Sequence, residues 1–188
     1  MGSRLRPARR ERGARGRRAR LPERRVPARS LLIALLGDTH LPRGARALPA
    51  ECLRILEAAD AIVHTGDFTT ASVLADLERF APVTAVQGNM DDGELRRLLP
   101  VRGTAELEGI RIGLVHDGGP AHGRHERLRE LFPGCDLIAY GHSHMPEAFR
   151  DSNGWILNPG SPTERRRAPG HTMIVIRDGQ PDLVALSP

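Results

Sequence analysis

From residue 31 onward, short apolar runs alternate with amphipathic stretches. Residues 31–36 are continuously apolar with no polar alternation, the pattern of a strand covered on both faces, and the run stops at Gly37-Asp38-Thr39-His40. Within 49–59, Cys52, Ile55, Leu56 and Ala59 recur at helical intervals; residues 61–63 then predict a second buried strand, ending at Thr65-Gly66-Asp67. The unit repeats as a helix over 70–80 and a strand over 83–86, which runs out at Gly88-Asn89-Met90-Asp91. Beyond this point the texture turns to hairpins. Residues 105–107 and 111–115 flank a Glu108-Gly109 turn, and the second run exits at His116. Residues 124–132 predict one more helix. Residues 137–140 predict a strand exiting at Gly141-His142-Ser143-His144, and 155–157, 172–177 and 183–186 predict closing strands.

Length and charge sharpen the domain picture. The 188 residues suit one domain with an appendage, and no apolar run approaches the roughly 18 to 20 residues of a membrane-spanning helix. All 28 basic residues are Arg. Residues 1–30 hold 12 Arg against Glu11 and Glu23, interleaved with Pro7, Pro22, Pro27, Gly13 and Gly16, with almost nothing apolar to bury. They are expected to form a disordered extension preceding a folded domain over 31–188. The extension lacks the apolar core of a secretory signal, and Arg6 stands where a myristoylation signal needs Ser or Thr. It offers at most a non-specific arm for nucleic acid or anionic lipid. The remainder carries 16 Arg against 21 acids, so nucleic-acid binding by the folded part has no support. Cys52 and Cys135, without CxxC spacing, fit a reduced, cytoplasmic protein.

The polar residues at the strand exits carry the chemistry. Asp38 and His40, Asp67, Asn89, His116, and His142 and His144 fall at the carboxyl ends of five successive buried runs, mostly beside glycine. In open α/β sheets that edge is where ligands bind. Carboxylates, imidazoles and one carboxamide, with no thiolate, suit Mn, Fe, Zn, Ni or Mg, with Mn the expected ion. Seven ligand-type residues exceed the needs of one ion; two ions about 3.5 to 4 Å apart would account for them and would clamp both oxygens of a phosphoryl displacement. A single Gly-Asp is most often just a turn, but the ordered set is not accounted for by turn chemistry. The glycines before Asp38, Asp67, Asn89 and His142 are expected to allow sharp turns and leave room for ions and substrate.

Taken in order, these motifs resemble those of the calcineurin-like metallophosphoesterases, most closely the small prokaryotic phosphodiesterase branch. A downstream Asn158-Pro159-Gly160-Ser161 matches as well, and the likeness covers about residues 31–185. The resemblance implies an α/β fold: a four-layer αββα sandwich, two mixed β-sheets flanked by helices. It assigns Asp38, His40 and His144 to one ion and Asn89, His116 and His142 to the other, with Asp67 bridging. A hydroxide held between the ions would attack phosphorus in line, Asn89 touching a phosphate oxygen, and activity should fall on acidification as the histidines protonate. The implied substrate is a small phosphodiester, or a phosphomonoester. The other readings are a non-catalytic scaffold on the same fold, as a eukaryotic coat-subunit relative is, and nucleic-acid binding through the Arg-rich arm. Self-association through a sheet edge or helix face stays open.

Two positions depart from the family pattern. Met90 stands where larger members carry a histidine that protonates the leaving group, which points to good leaving groups or to His122 or His125 as the acid. Asp117 replaces a usual Gly after His116, where it would orient His116 or crowd the site; Asp91 is a candidate for a similar supporting role. His64 is expected to be a hydrogen-bonded core histidine, His171 to have no partner, and Arg165, Arg166 and Arg167 to face solvent.

Overall fold

The computed structural model describes residues 30–44 and 46–187, so the expected disorder of 1–30 falls, apart from Ser30, outside the described residues. The first half forms β1 (Leu32–Leu36), α1 (Ala50–Ala58), β2 (Ala61–His64), α2 (Ala71–Glu78), β3 (Val83–Ala85) and a single turn, α3 (Leu95–Leu98). The second half adds β4 (Arg102–Leu107), β5 (Ile110–Val115), α4 (Arg124–Leu131), β6 (Leu137–Ala139), β7 (Glu147–Asp151), β8 (Gly154–Asn158), β9 (His171–Arg177) and β10 (Gln180–Leu186). These strands make two five-stranded sheets, ordered β10-β9-β1-β2-β3 and β4-β5-β6-β8-β7. Each is mixed: β1, β2 and β3 run parallel, as do β5, β6 and β8, with antiparallel strands outside them.

The apolar pattern explains the layering. Strand side chains alternate between faces, so a run apolar at every position needs cover on both sides. In β1, Ala34 and Leu36 pack with Cys52 and Leu56 of α1 and with Leu74 and Leu77 of α2. Ile33 and Leu35 turn the other way, onto Ile112, Leu114, Leu137 and Leu157 of the second sheet. That sheet in turn presents Ile138 and Ile156 to Leu128 and Phe132 around α4. Three apolar layers therefore separate helix, sheet, sheet and helix, the expected αββα sandwich. Gly113 serves the last of these layers, since a Cβ there would lie 2.5 Å from the Phe132 ring.

Register brings the strand exits together. In the first sheet Leu36 pairs with His64 and His64 with Ala85, so β1, β2 and β3 end flush. In the second, Leu114, Ala139 and Leu157 lie level. Two elements were not visible in the apolar pattern. Strand β7 is an edge strand with three exposed residues in the middle, and α3 is too short to show a helical period. Among the described residues no helix is long and apolar enough to cross a membrane.

Candidate metal centre

Past the end of β1 the chain stays bonded to the loop that follows β2: Asp38 N–H donates to Gly66 O at 3.0 Å and His40 N–H to Asp67 O at 2.9 Å. The two loops therefore leave the sheet as a pair and carry Asp38, His40 and Asp67 up together. From the second sheet, Gly141 N–H donates to His116 O at 2.8 Å, which sets the His142 loop beside His116. Hydrogen bonds join the halves: Asp38 Oδ2 accepts the His142 amide at 2.9 Å and the Thr65 carbonyl accepts His116 Nδ1 at 2.8 Å.

All seven residues expected at the site converge. His144 Nε2 lies 3.3 Å from Asp38 Oδ1 and 3.2 Å from His40 Nε2. His116 Nε2 and His142 Nδ1 lie 3.0 and 2.9 Å from Asn89 Oδ1. Between these groups Asp67 Oδ2 stands 3.6 Å from His40 Nε2 and 3.4 Å from His116 Nε2. Ligand atoms of Asp38, His40 and His144, and likewise of Asp38, Asp67 and His116, lie within 4.8 Å of one another. Asp38 and His144 are fully buried, and His40 and Asp67 nearly so.

The unsatisfied atoms suit a cation. Asp38 Oδ1 is buried and accepts no hydrogen bond, an arrangement costly for a carboxylate without a positive partner. His144 Nδ1 donates to the Glu164 carbonyl, and His116 Nδ1 to the Thr65 carbonyl at 2.8 Å. With Nδ1 so engaged, the neutral form of each ring directs the lone pair of its Nε2 into the cluster, the tautomer a metal ligand needs. With His144 Nε2 a lone pair, its 3.2 Å approach to His40 Nε2 makes a favourable place for a cation. Burial drives the His40 pKa down, against the pull of Asp67 and Asp38, and keeps that ring neutral. Burial would raise the Asp67 carboxyl, but the bond and charge of His116, the Met90 amide and His40 hold it below the usual range. His116 is disfavoured as a cation by burial, yet Asp67, Asp38 and the Thr65 carbonyl lift it above its ordinary value.

The backbone at the site is unusual. Asp38, His40, Asp67, His142 and His144 all have left-handed φ, between 47° and 67°. Each such non-glycine residue costs on the order of 1 kcal/mol or more, and such residues cluster at functional sites. The neighbouring glycines play a different part from the one expected. Only Gly66 has positive φ; a Cβ on Gly88 would sit 2.1 Å from Asp67 Oδ1, and one on Gly141 2.9 Å from Asp38 Oδ2. Glycine serves close approach there, while the ligand-type residues themselves make the turns.

Supporting residues account for the downstream motif. Asn158 Nδ2 donates to Gly141 O at 3.2 Å and to Ser143 Oγ at 3.1 Å, and Ser161 Oγ donates to Asp38 O at 2.7 Å. Asp91 accepts the Gly88 amide at 2.7 Å and the Thr69 amide at 2.9 Å, which holds the Asn89 loop against the Asp67 loop. Met90 contributes through its backbone alone: its amide donates to Asp67 Oδ1 at 2.7 Å while its side chain is exposed. His64 is a core histidine, as expected; it accepts the Gly66 amide at 3.1 Å, meets Thr39 Oγ1 at 3.3 Å and stacks on Phe68, and burial lowers its pKa to about 3.

Two expectations need correction. Asp117 neither orients His116 nor blocks it; its carboxylate accepts the Gly119 amide at 2.7 Å, and the Thr65 carbonyl does the orienting. His125 is engaged elsewhere, 3.0 Å from Glu147 and stacked on Phe149, and His122 is exposed with its carbonyl receiving Arg127. Arg165, Arg166 and Arg167 are exposed, as expected, and Arg166 also donates to the His142 carbonyl at 3.4 Å. Two further residues at the site were not foreseen. Arg96 donates to the Asn89 carbonyl at 2.8 Å and lines a cleft of about 490 Å³ with Val101, Val115, His116 and His142. Glu164 has a carboxylate oxygen 3.8 Å from His40 Nε2. Arg96 lies in the single turn α3 and Glu164 in a loop, each amid other charges, where the sequence gives no signal.

Comparison with known proteins agrees with this geometry. The family model described as the calcineurin-like phosphoesterase superfamily domain matches residues 31–178. A probable metallophosphoesterase of Methanothermobacter thermautotrophicus is 35% identical over 152 residues, covering 80% of this chain and 88% of that protein. Vacuolar protein sorting 29 of Cryptosporidium parvum superposes with a TM-score of 0.66 at 21% identity, over 82% of this chain and 96% of its own. An archaeal phosphodiesterase superposes with a TM-score of 0.64 at 19% identity, over 83% of this chain and 100% of its own. The two superpositions speak for the fold alone. With the sandwich, the converging ligand-type residues and the matched sequence together, the chain belongs to the calcineurin-like phosphoesterase superfamily.

Proposed function

We propose that this protein is a dinuclear metal-dependent phosphodiesterase acting on a small phosphodiester in the cytoplasm, with Mn as the preferred metal. The observation that carries the proposal is the convergence of seven ligand-type side chains on one cluster, with Asp38, His40, Asp67, His116 and His144 buried, Asn89 and His142 at its exposed rim, and Asp67 Oδ2 within 3.6 Å of an imidazole on either side. Asp38, His40 and His144 would hold one ion, Asn89, His116 and His142 the other, and Asp67 would bridge them. When bound, such a pair supplies Lewis acidity toward the phosphoryl oxygens and, from water, a hydroxide nucleophile near neutral pH for in-line attack.

The chain's own groups do the rest. Asn89 Oδ1 faces His116 and His142, so its Nδ2 is the donor left for a phosphate oxygen. Arg96 puts a positive charge in the adjoining cleft, where Val101 and Val115 form an apolar wall suited to an organic leaving group. The side chain of Met90 can donate no proton, so a leaving group that departs as a stable anion is preferred.

The test is hydrolysis of an aryl phosphodiester by the full chain, with Mn and then with a chelator. Turnover is expected with Mn and not with the chelator, and Asp67→Asn should lower it by at least about a thousandfold, since the centre supplies several kcal/mol. Equal activity in wild type and Asp67→Asn, both metal-loaded, would refute the assignment. The scaffold reading, which draws on the likeness to vacuolar protein sorting 29, predicts metal-loaded protein without turnover on any diester.

A further inference from the structure

Glu164 lies beyond the seven residues of the family motif, yet three features tie it to the cluster. Its backbone carbonyl receives His144 Nδ1 and so sets the orientation of that ring. Its carboxylate is divided in function: Oε1 pairs with Arg46 at 3.2 Å, whereas Oε2 is buried, accepts no hydrogen bond, and lies 3.8 Å from His40 Nε2. The same His40 nitrogen is 3.9 Å from Asp38 Oδ1, the other carboxylate oxygen of the cluster that is buried without a donor. Two unsatisfied oxygens from loops 126 positions apart therefore face one imidazole nitrogen. Both oxygens are buried without a donor, and a cation placed between the two loops would meet both.

We propose that Glu164 is a further carboxylate of the ion site formed by Asp38, His40 and His144, and that it makes this the tighter of two unequal divalent-cation sites. Arg46 holds the carboxylate in place by one oxygen and leaves the other directed inward. Burial works against the ionised form of Glu164, but the bond and charge of Arg46, and then His40, hold its pKa below the ordinary range. The His40 side thus gathers Asp38 and Glu164 beside the shared Asp67, while the His116 and His142 side adds the neutral Asn89. A hard divalent cation favours the site with more carboxylate oxygen, so the two sites fill in order, the His40 side first.

This builds on the dinuclear reading, and the experiment separates the two. Mn is titrated into metal-free full-length protein by calorimetry and followed by electron paramagnetic resonance, for wild type, Glu164→Gln and Glu164→Asp, with circular dichroism and melting as checks on folding. Gln keeps the shape and the backbone carbonyl but removes the charge. Wild type is expected to bind two Mn in resolved steps. Glu164→Gln should weaken the tighter step by about 10- to 100-fold and leave the weaker one unchanged, with Glu164→Asp between them. Identical isotherms for wild type and a folded Glu164→Gln, or a loss confined to the weaker step, would overturn the role of Glu164 and leave the dinuclear reading intact. A wild type that binds no Mn would overturn both.

Discussion

The two ends of the sandwich use the same backbone conformation under opposite conditions. At the hairpin end, Glu108-Gly109 joins β4 to β5 and Asp178-Gly179 joins β9 to β10, with φ of 49°, 82°, 48° and 77°. These residues are exposed or half-exposed, each ligand-free turn needs positive φ at both positions, and glycine supplies the second at little cost. At the metal end the left-handed residues are Asp38, His40, Asp67, His142 and His144, which are bulkier, mostly buried and closely packed. The hairpin end also has the larger hollow, about 520 Å³ against about 490 Å³. It is lined by Asp60, Glu108 and Asp178, and Asp178 and Asp60 accept the amides of Leu31 and Leu32. Those carboxylates secure the start of β1. Concave volume alone would thus point to the wrong end, whereas unsatisfied donor atoms on a strained, buried backbone point to the right one.

Glycine gives the most direct way to break this contrast. Gly88→Ala should have the largest effect: its Cβ would meet Asp67 Oδ1 at 2.1 Å and Asp67 N at 2.3 Å, both held in place by the packed loops. Activity on an aryl phosphodiester should drop at least about a hundredfold and stability by about 1 to 3 kcal/mol. Near-normal turnover in that variant would show that the Asp67 loop yields and that its strain is not functional.

Acidification comes next. Burial opposes the charged ring of His116, but Asp67, Asp38 and the Thr65 carbonyl raise its pKa above 6.5. A metal must displace that proton. Competition therefore begins above pH 6.5, and apparent Mn affinity should fall by about tenfold for each further unit of pH, for one proton displaced. Mn occupancy followed from pH 8 to 5.5 reads this directly, and a flat profile would place His116 outside the ligand set.

The smallest effect belongs to the other end. Gly109 has φ of 82° with nothing within 4 Å of its missing Cβ, so Gly109→Ala should cost about 1 kcal/mol from backbone strain alone. Turnover should stay at the wild-type level. A loss of activity there would mean that the hairpin end communicates with the metal centre.

Much of the site was legible because its residues are local punctuation. A polar residue of ligand type that closes a buried apolar run can be read without knowing which strand neighbours which. Glu164 and Arg96 gave no such signal. Each lies among like or opposite charges, Arg96 in the short α3 and Glu164 in a loop, and its role depends on what stands opposite it in space. The outer-shell work of Asn158 and Ser161 was equally invisible: the motif could be seen, but not that it ties Gly141 and Asp38. Strand β7 escaped for a related reason, since an edge strand with exposed side chains carries no apolar alternation.

By itself, then, the sequence determined the alternation of buried strands and amphipathic helices, the carboxyl-edge location of the ligand-type residues, and their chemical kind, because burial period and side-chain chemistry are written residue by residue. The tertiary structure decided which residues share the site, which tautomer each ring adopts, and which glycine is there for space and which for rotation. Those depend on strand register and on loops packed against each other across two sheets, distances that no single stretch of chain encodes.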